Sequence, residues 1–285
     1  MTDPVWCVMP VLAGPEMTEA AVADLLAQSV PTRILIVNQG VEEPFRRRLE
    51  RLAEEYPDRI FCWSHNPPLP SLSATWNRAL EFCWQTGGTE AFVVNNDVRL
   101  HSETVRFLSL ARQQTEAFFV TCVGVGTEVE TLGWSMPLDN LAISRGGPDF
   151  SCYLISKEGH QRYPFDEMFT PAVCEDCDLH RQYMLGGDGD RIFSINLPYL
   201  HLASQTLKQV SPEKRAALER GIAQGSRKHY LSKWGGPVNQ ERYTIPFNPA
   251  SAQDGVTNPD LQRMTAGGGA VRVPLGDGSD TAIPS

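Results

Sequence analysis

Ala91-Phe92-Val93-Val94-Asn95-Asn96-Asp97 runs from four apolar residues into three polar ones, and its neighbours decide the fold. A short apolar run that stops at polar side chains is the signature of a buried strand. Working backwards, Leu72–Gln85 has helical spacing behind Ser71 as a plausible N-cap, and Ile60–Ser64 reads as a strand. Pro44–Tyr56 is a charged amphipathic helix stopped by Pro57. Arg33–Val37 is a strand ending in Asn38-Gln39-Gly40, Met17–Gln28 is helical, and Val5–Val11 is a first strand. This βαβαβαβ alternation predicts an α/β fold with a parallel sheet covered by helices on both faces. Right-handed crossovers place the strand C-termini on one edge, where such sheets bind ligands.

Working forwards, the pattern loosens. His101–Thr115 reads as helix, Phe118–Val125 as strand, and Glu128–Pro148 as a loop-rich stretch holding Trp134, a candidate stacking platform that core packing also explains. Phe150–Ser156 and Arg191–Ile195 read as strands; Lys157–Tyr163, Glu175–Leu185 and most of Ser211–Trp234 as helix. Beyond about Pro249 the chain turns to Gly, Pro, Ser and Asp, the composition of a flexible tail.

The 285 residues fit one large α/β domain, or one domain plus a small appendage, and 41% hydrophobic content supports a substantial core. A net charge of −9 disfavours broad adhesion to nucleic acid or anionic membrane. The charge is uneven: residues 207–233 hold seven Lys/Arg against two Glu. No signal peptide or run of about 18 apolar residues is visible, and an odd count of seven cysteines suits reduced thiols, so a cytoplasmic protein is expected. Cys174-x-x-Cys177 stands alone with acidic residues between, which disfavours zinc or redox use.

Four segments offer chemistry. Asp97, at the ligand-binding edge, suits Mg²⁺ or Mn²⁺, which take hard oxygen ligands and keep substrate phosphates in their shell. The same tripeptide also reads as an ordinary polar turn. Glu175 and Asp176 open a helix, where carboxylates are favoured; either could act as general base on a hydroxyl, or merely cap a solvated helix. His201 follows a short apolar run and could ligate a metal or be structural. Arg227-Lys228-His229-Tyr230-x-x-Lys233-Trp234-Gly235-Gly236 could bring cations and a glycine loop to a diphosphate, or be a basic helix end.

In order, these segments resemble family 2 glycosyltransferases of GT-A fold, in the rhamnosyltransferase-like branch. Met9-Pro10-Val11-Leu12 is similar to the family's first-strand proline motif. Leu25-Leu26-x-Gln28-Ser29 with Ile34–Gly40 is similar to its "SLLxQ…IIVVDNGS", Asn38 standing for the usual aspartate that contacts the nucleotide. Asn66 and Ser73–Leu80, including Asn77, look like the donor-side "N-x-G…A-x-N-x-G" without its glycines. Asn95-Asn96-Asp97-Val98 matches the "NNDV" form of the metal-binding motif. Phe165-Asp166-Glu167-x-Phe169 and Glu175-Asp176-x-Asp178-Leu179 match "FDExFF…EDxDL", and Lys233–Gly236 a C-terminal "KWGG".

The resemblance covers roughly residues 5–247. It implies an inverting, metal-dependent transferase that moves a sugar from a nucleotide diphosphate, commonly a UDP- or dTDP-sugar, to an acceptor hydroxyl. Asp97 and His201 would hold Mn²⁺ or Mg²⁺, and Asp176 would be the base with Glu175 as fallback. Pro10, Val11, Asn38, Gly40, Asn66, Asn77, Asn95, Asn96, Lys233 and Trp234 would contact the donor. Residues 1–206 would form the GT-A domain, with a nucleotide-binding half to about 100 and a catalytic half after it; 207–248 a helical extension closing the site; and 249–285 the tail. The alternatives are a non-catalytic sugar-nucleotide binder, which Asn38 and Asn95 in place of aspartates allow, or a sugar-nucleotidyltransferase, which normally has more glycine after the first strand than Val11–Pro15 offers. The acceptor could be a saccharide or, less readily, a modified base in DNA.

Overall fold

The computed structural model describes residues 3–125, 141–146, 150–202 and 205–253. Trp134, most of the loop-rich stretch and most of the tail lie outside the described residues.

The first half follows the predicted alternation: β1 (Val5–Val11), α1 (Pro15–Leu26), β2 (Thr32–Asn38), α2 (Glu43–Glu55), β3 (Ile60–Ser64), α3 (Leu72–Gln85) and β4 (Glu90–Val94). The Ser71 side chain caps α3 by accepting from the Ala74 amide at 3.1 Å. Then come β5 (Val98–Arg99), α4 (Thr104–Thr115), β6 (Phe119–Val125), β7 (Ile143–Arg145), β8 (Cys152–Ser156), α5 (Lys157–Arg162), α6 (Glu175–Leu185), β9 (Ile192–His201), α7 (Gln205–Gln209), α8 (Pro212–Gln224) and α9 (Ser226–Trp234).

The sheet runs in the order β3-β2-β1-β4-β8-β6-β9-β5, with β7 on β9. β1 to β4, β6 and β9 point one way, while β8, β5 and β7 oppose their neighbours. Strand alternation splits the core across the sheet. Cys7, Met9, Ile34, Ile36, Phe92 and Val94 meet α1, α2 and α4 on one face. Trp6, Val8, Leu35, Val37, Ala91 and Val93 meet α3 and α6 on the other.

β9 continues past the predicted Ile195 to His201. Pro198 cannot donate to a ladder, and the register with β6 shifts where it enters, between Cys122 and Val123. The strand therefore survives its proline, and its end pairs His201 with Val98, one residue after Asp97.

The "KWGG" segment is a structural clasp. Lys233 Nζ lies 2.7 Å from Asp166 and 2.9 Å from Asp178, and Trp234 Nε1 donates to Asp178 at 2.8 Å. Gly235 ends α9 at φ 71° beside Tyr243, and a Cβ on Gly236 would stand 1.9 Å from the Gln240 carbonyl oxygen.

Candidate active site

β1, β2 and β4 end at one edge of the sheet, and a cleft of about 420 Å³ opens there. Pro10, Val11, Gln39, Asn95, Asn96, Asp97 and His201 form its sheet side. Pro70–Leu72 and Pro171–Val173 form one wall, with Thr206, Leu207, Lys214, Leu218 and Ile222 across the top.

Asp97 is buried. Its backbone carbonyl accepts from the Leu202 amide at 2.9 Å, and its Oδ2 from the Gln205 amide at 3.3 Å. Both donors belong to the chain leaving β9, so the strand that delivers His201 also fixes Asp97. Asp97 Oδ1 and His201 Nε2 stand 3.5 Å apart. That is long for a hydrogen bond and near the edge of an octahedral ion's coordination shell, where two ligands at about 2.1 Å from the ion lie about 3 Å apart. A carboxylate oxygen beside an imidazole nitrogen, opening on a cleft, fits a divalent ion that takes its remaining ligands from a diphosphate and water. Among the described residues there is no group of three or more His, Cys, Asp or Glu that could hold a metal by itself.

Asn96 lines the cleft with its polar atoms engaged. Its Nδ2 donates to the Ala13 carbonyl (2.7 Å) and Thr18 Oγ1 (2.8 Å), and its Oδ1 accepts from Thr206 (3.0 Å). It thus ties the loop after β1 to α7. The Asn95 amide donates to the Ser151 carbonyl at 2.9 Å, leaving its side chain toward the cleft.

Several expected donor contacts lie elsewhere. Asn38 accepts from the amides of Gly40 and Val41 at 2.8 and 2.9 Å, an Asx turn that shapes the loop after β2. Gly40 presents its carbonyl rather than its surface, and Asn66 is exposed outside the cleft lining. Asn77 is buried with its whole amide committed: Nδ2 to the Phe165 carbonyl and Glu167, Oδ1 to the Phe165 amide and His160. It joins α3 to the 165–167 loop. Lys233 and Trp234 are buried in their contacts with Asp166 and Asp178 and do not line the cleft. Of these, the Asn77 amide has its donors and acceptors all supplied by its own chain.

Pro171–Val173 leads through Cys174 into α6, so Glu175 and Asp176 follow the cleft wall along the chain without being among the residues that line it. The two differ in setting. Asp176 is half-buried, its Oδ1 accepting from the Cys177 amide at 2.7 Å. Glu175 is buried, and its Oε2 has no hydrogen-bond partner. Burial first, and the neighbouring Asp176 second, push the Glu175 carboxyl up to about 8. From its ordinary 4.5 to about 8 the folded chain holds a proton that the unfolded chain has released, so this group's contribution to stability falls as pH rises through that window. Glu175→Gln should therefore raise the unfolding free energy from urea melts near pH 8, by on the order of several kcal/mol, and with it the midpoint, and leave both unchanged at about pH 4. Equal midpoint shifts at both pH values would show that Glu175 is not held protonated.

Residues that line the cleft but carry no motif are Leu69–Leu72, Pro171–Val173, Thr206, Leu207, Lys214, Leu218 and Ile222. The one available signal was the basic character of 207–233. A wider hollow of about 1150 Å³ lies at the opposite sheet edge, between α4 and α5. Its arginines are paired: Arg112 with Glu90, Arg162 with Asp188, Arg191 with Glu158.

This arrangement of sheet, cleft and acidic strand end is the GT-A glycosyltransferase fold. Among solved structures it matches Staphylococcus aureus TarS residues 1–349, at TM-score 0.54 and 12% identity over 80% of this chain and 72% of that one. TarS 1–349 has also been solved with UDP-GlcNAc, matching at TM-score 0.53 and 15% identity over 78% and 66% of the two chains. The mannosyltransferase PcManGT from Pyrobaculum calidifontis, in complex with GDP-Man and Mn²⁺, matches at TM-score 0.51 and 14% identity over 80% and 63%. No protein-family model and no curated protein sequence matches the chain. Among the described residues no helix is long and apolar enough to cross a membrane.

Proposed function

We propose that the chain is a metal-dependent, inverting glycosyltransferase of the family 2 type, transferring a sugar from a nucleotide diphosphate, favoured as UDP or dTDP, to an acceptor hydroxyl. The carrying observation is the Asp97–His201 pair, 3.5 Å apart at the sheet edge where the cleft opens. The neighbours solved with UDP-GlcNAc and with GDP-Man and Mn²⁺ support the reading through their shared fold.

Pro10, Val11, Gln39 and Asn95 form the surface that receives the nucleotide. Asp97, immobilised by the amides of Leu202 and Gln205, presents Oδ1 beside His201. Mn²⁺ or Mg²⁺ bound to this pair would offset the charge growing on the departing diphosphate. Asp176, at the N-terminal turn of α6, takes the proton of the acceptor hydroxyl as it attacks the anomeric carbon from the face opposite the leaving group. Glu175 is the weaker candidate for that step because at neutral pH it keeps its own proton. Residues 205–248 supply the roof. The apolar share of the cleft, from Leu12 and Leu72 to Leu218 and Ile222, excludes the water that would hydrolyse the donor.

The test is release of nucleoside diphosphate from a panel of sugar nucleotides with Mn²⁺, for the wild type and Asp176→Asn. The reading expects release with one donor, dependent on metal, and about 10²-fold or more slower in the variant. If no donor binds, measured by calorimetry, the chain is not a sugar-nucleotide enzyme.

A further inference from the structure

The roof helix α8 touches both walls of the cleft. At its N-terminal end Lys214 Nζ donates to the Gly40 carbonyl at 2.9 Å, reaching the loop after β2. At its C-terminal end Gly221 packs on Pro171, where a Cβ would stand 2.9 Å from the proline ring. The helix is followed by Gly225, where a Cβ would stand 2.3 Å from the Thr170 carbonyl oxygen. α8 therefore spans the cleft from the loop after β2 to the Pro171–Val173 wall.

Among the described residues that line the cleft, Asp97 is the one carboxylate and Lys214 the one lysine or arginine. Lys214 has no salt bridge among the described residues; its ammonium rests on a neutral backbone carbonyl. This sets it apart from Lys233, which lies between Asp166 and Asp178. An ammonium bonded only to a carbonyl keeps its charge uncompensated and has further donors to offer. The charge inventory points the same way. A divalent ion, one ammonium and one carboxylate together carry about two positive charges, the amount that the diphosphate of a sugar nucleotide offsets. Without Lys214 the cleft falls about one charge short.

Building on the donor reading above, we propose that Lys214 is a donor-binding residue that contacts the phosphates of the nucleotide, exchanging its Gly40 carbonyl for a phosphate oxygen when the donor enters. The role expected from the sequence for Lys233 passes to a lysine 19 residues earlier, carried on the roof rather than in the clasp. A flexible four-carbon arm suits this exchange, since a phosphate is recognised by an ammonium as a point charge, without the fixed geometry of a guanidinium.

The experiment is calorimetric titration with Mn²⁺ of UDP, dTDP and GDP, each beside its nucleoside, into wild type, Lys214→Met and Lys214→Arg. The inference expects Lys214→Met to weaken the best nucleoside diphosphate about 10- to 100-fold while the matching nucleoside binds as before, with Lys214→Arg retaining most of the affinity. An unchanged diphosphate affinity in Lys214→Met, with circular dichroism matching wild type, overturns it. So does an equal loss for diphosphate and nucleoside, which assigns the lysine to roof packing or to the base. If the wild type binds no nucleoside diphosphate, the donor reading itself fails, an outcome distinct from both.

Discussion

Asp97→Ala is expected to slow sugar transfer by about 10³-fold or more while leaving the fold intact. The expectation rests on what Asp97 does in the folded chain. Its backbone carbonyl is held by Leu202, so the loop keeps that contact when the side chain is removed. The carboxylate makes one long contact, 3.3 Å from the Gln205 amide, and faces His201 with its other oxygen. Little folding energy depends on it, and the variant should unfold within about 1 kcal/mol of wild type. The loss is expected instead at the proposed metal site, where charge stabilisation of a leaving diphosphate would be worth several kcal/mol. The measurement pairs nucleotide release with Mn²⁺ titration. Weakened metal binding together with lost turnover supports the assignment, and full activity at saturating Mn²⁺ excludes Asp97 as a ligand.

The largest stability effect should come from Lys233→Met. Asp178 is fully buried, and burial raises its carboxyl above the usual aspartate range while Lys233 beside it pulls the other way. Removing the ammonium leaves Asp178 with Trp234 and Gln182 as neutral donors. An uncompensated buried charge of this kind costs about 3–5 kcal/mol. Asp166 retains His229 at 2.9 Å and is less affected. Denaturant melts should show that loss, and Lys233→Met/Asp178→Asn should recover part of it, because the double variant removes the orphaned charge as well. Donor affinity, measured below the unfolding transition, should stay near wild type. A donor-affinity loss without destabilisation would return Lys233 to the nucleotide.

Asp97, Lys233 and Lys214 show how far the sequence can be read. The strands and helices up to Val94 lie within a few residues of their predicted bounds, because apolar runs and helical spacing are local properties. Asp97 and His201 were legible as candidates, since each follows an apolar run that had to end at the sheet edge. Their proximity was not, because it depends on β9 continuing through Pro198. The short β5, β7 and α7 carry too few residues for periodicity to register. Lys233 and Asn77 misled for a shared reason: a motif names a side chain but not its partner, and both proved to be bound by their own chain. Lys214 is not legible in the sequence, because a lysine in a basic helix looks like its neighbours until the fold shows which one lines the cleft.

The division of the cleft between early and late sequence bears on how the protein is made. Every strand among the described residues has left the ribosome once His201 emerges, so the sheet can assemble around Asp97 while α7 to α9 are still in the exit tunnel. The roof and its clasp follow the described strands, and until they dock, the nascent chain exposes Leu12, Leu72 and Phe169 at an unfinished site. Translation pauses or truncations between 202 and 253 should thus give chains with a native sheet that chaperones retain, a fate set by the order of synthesis rather than by the stability of the finished molecule.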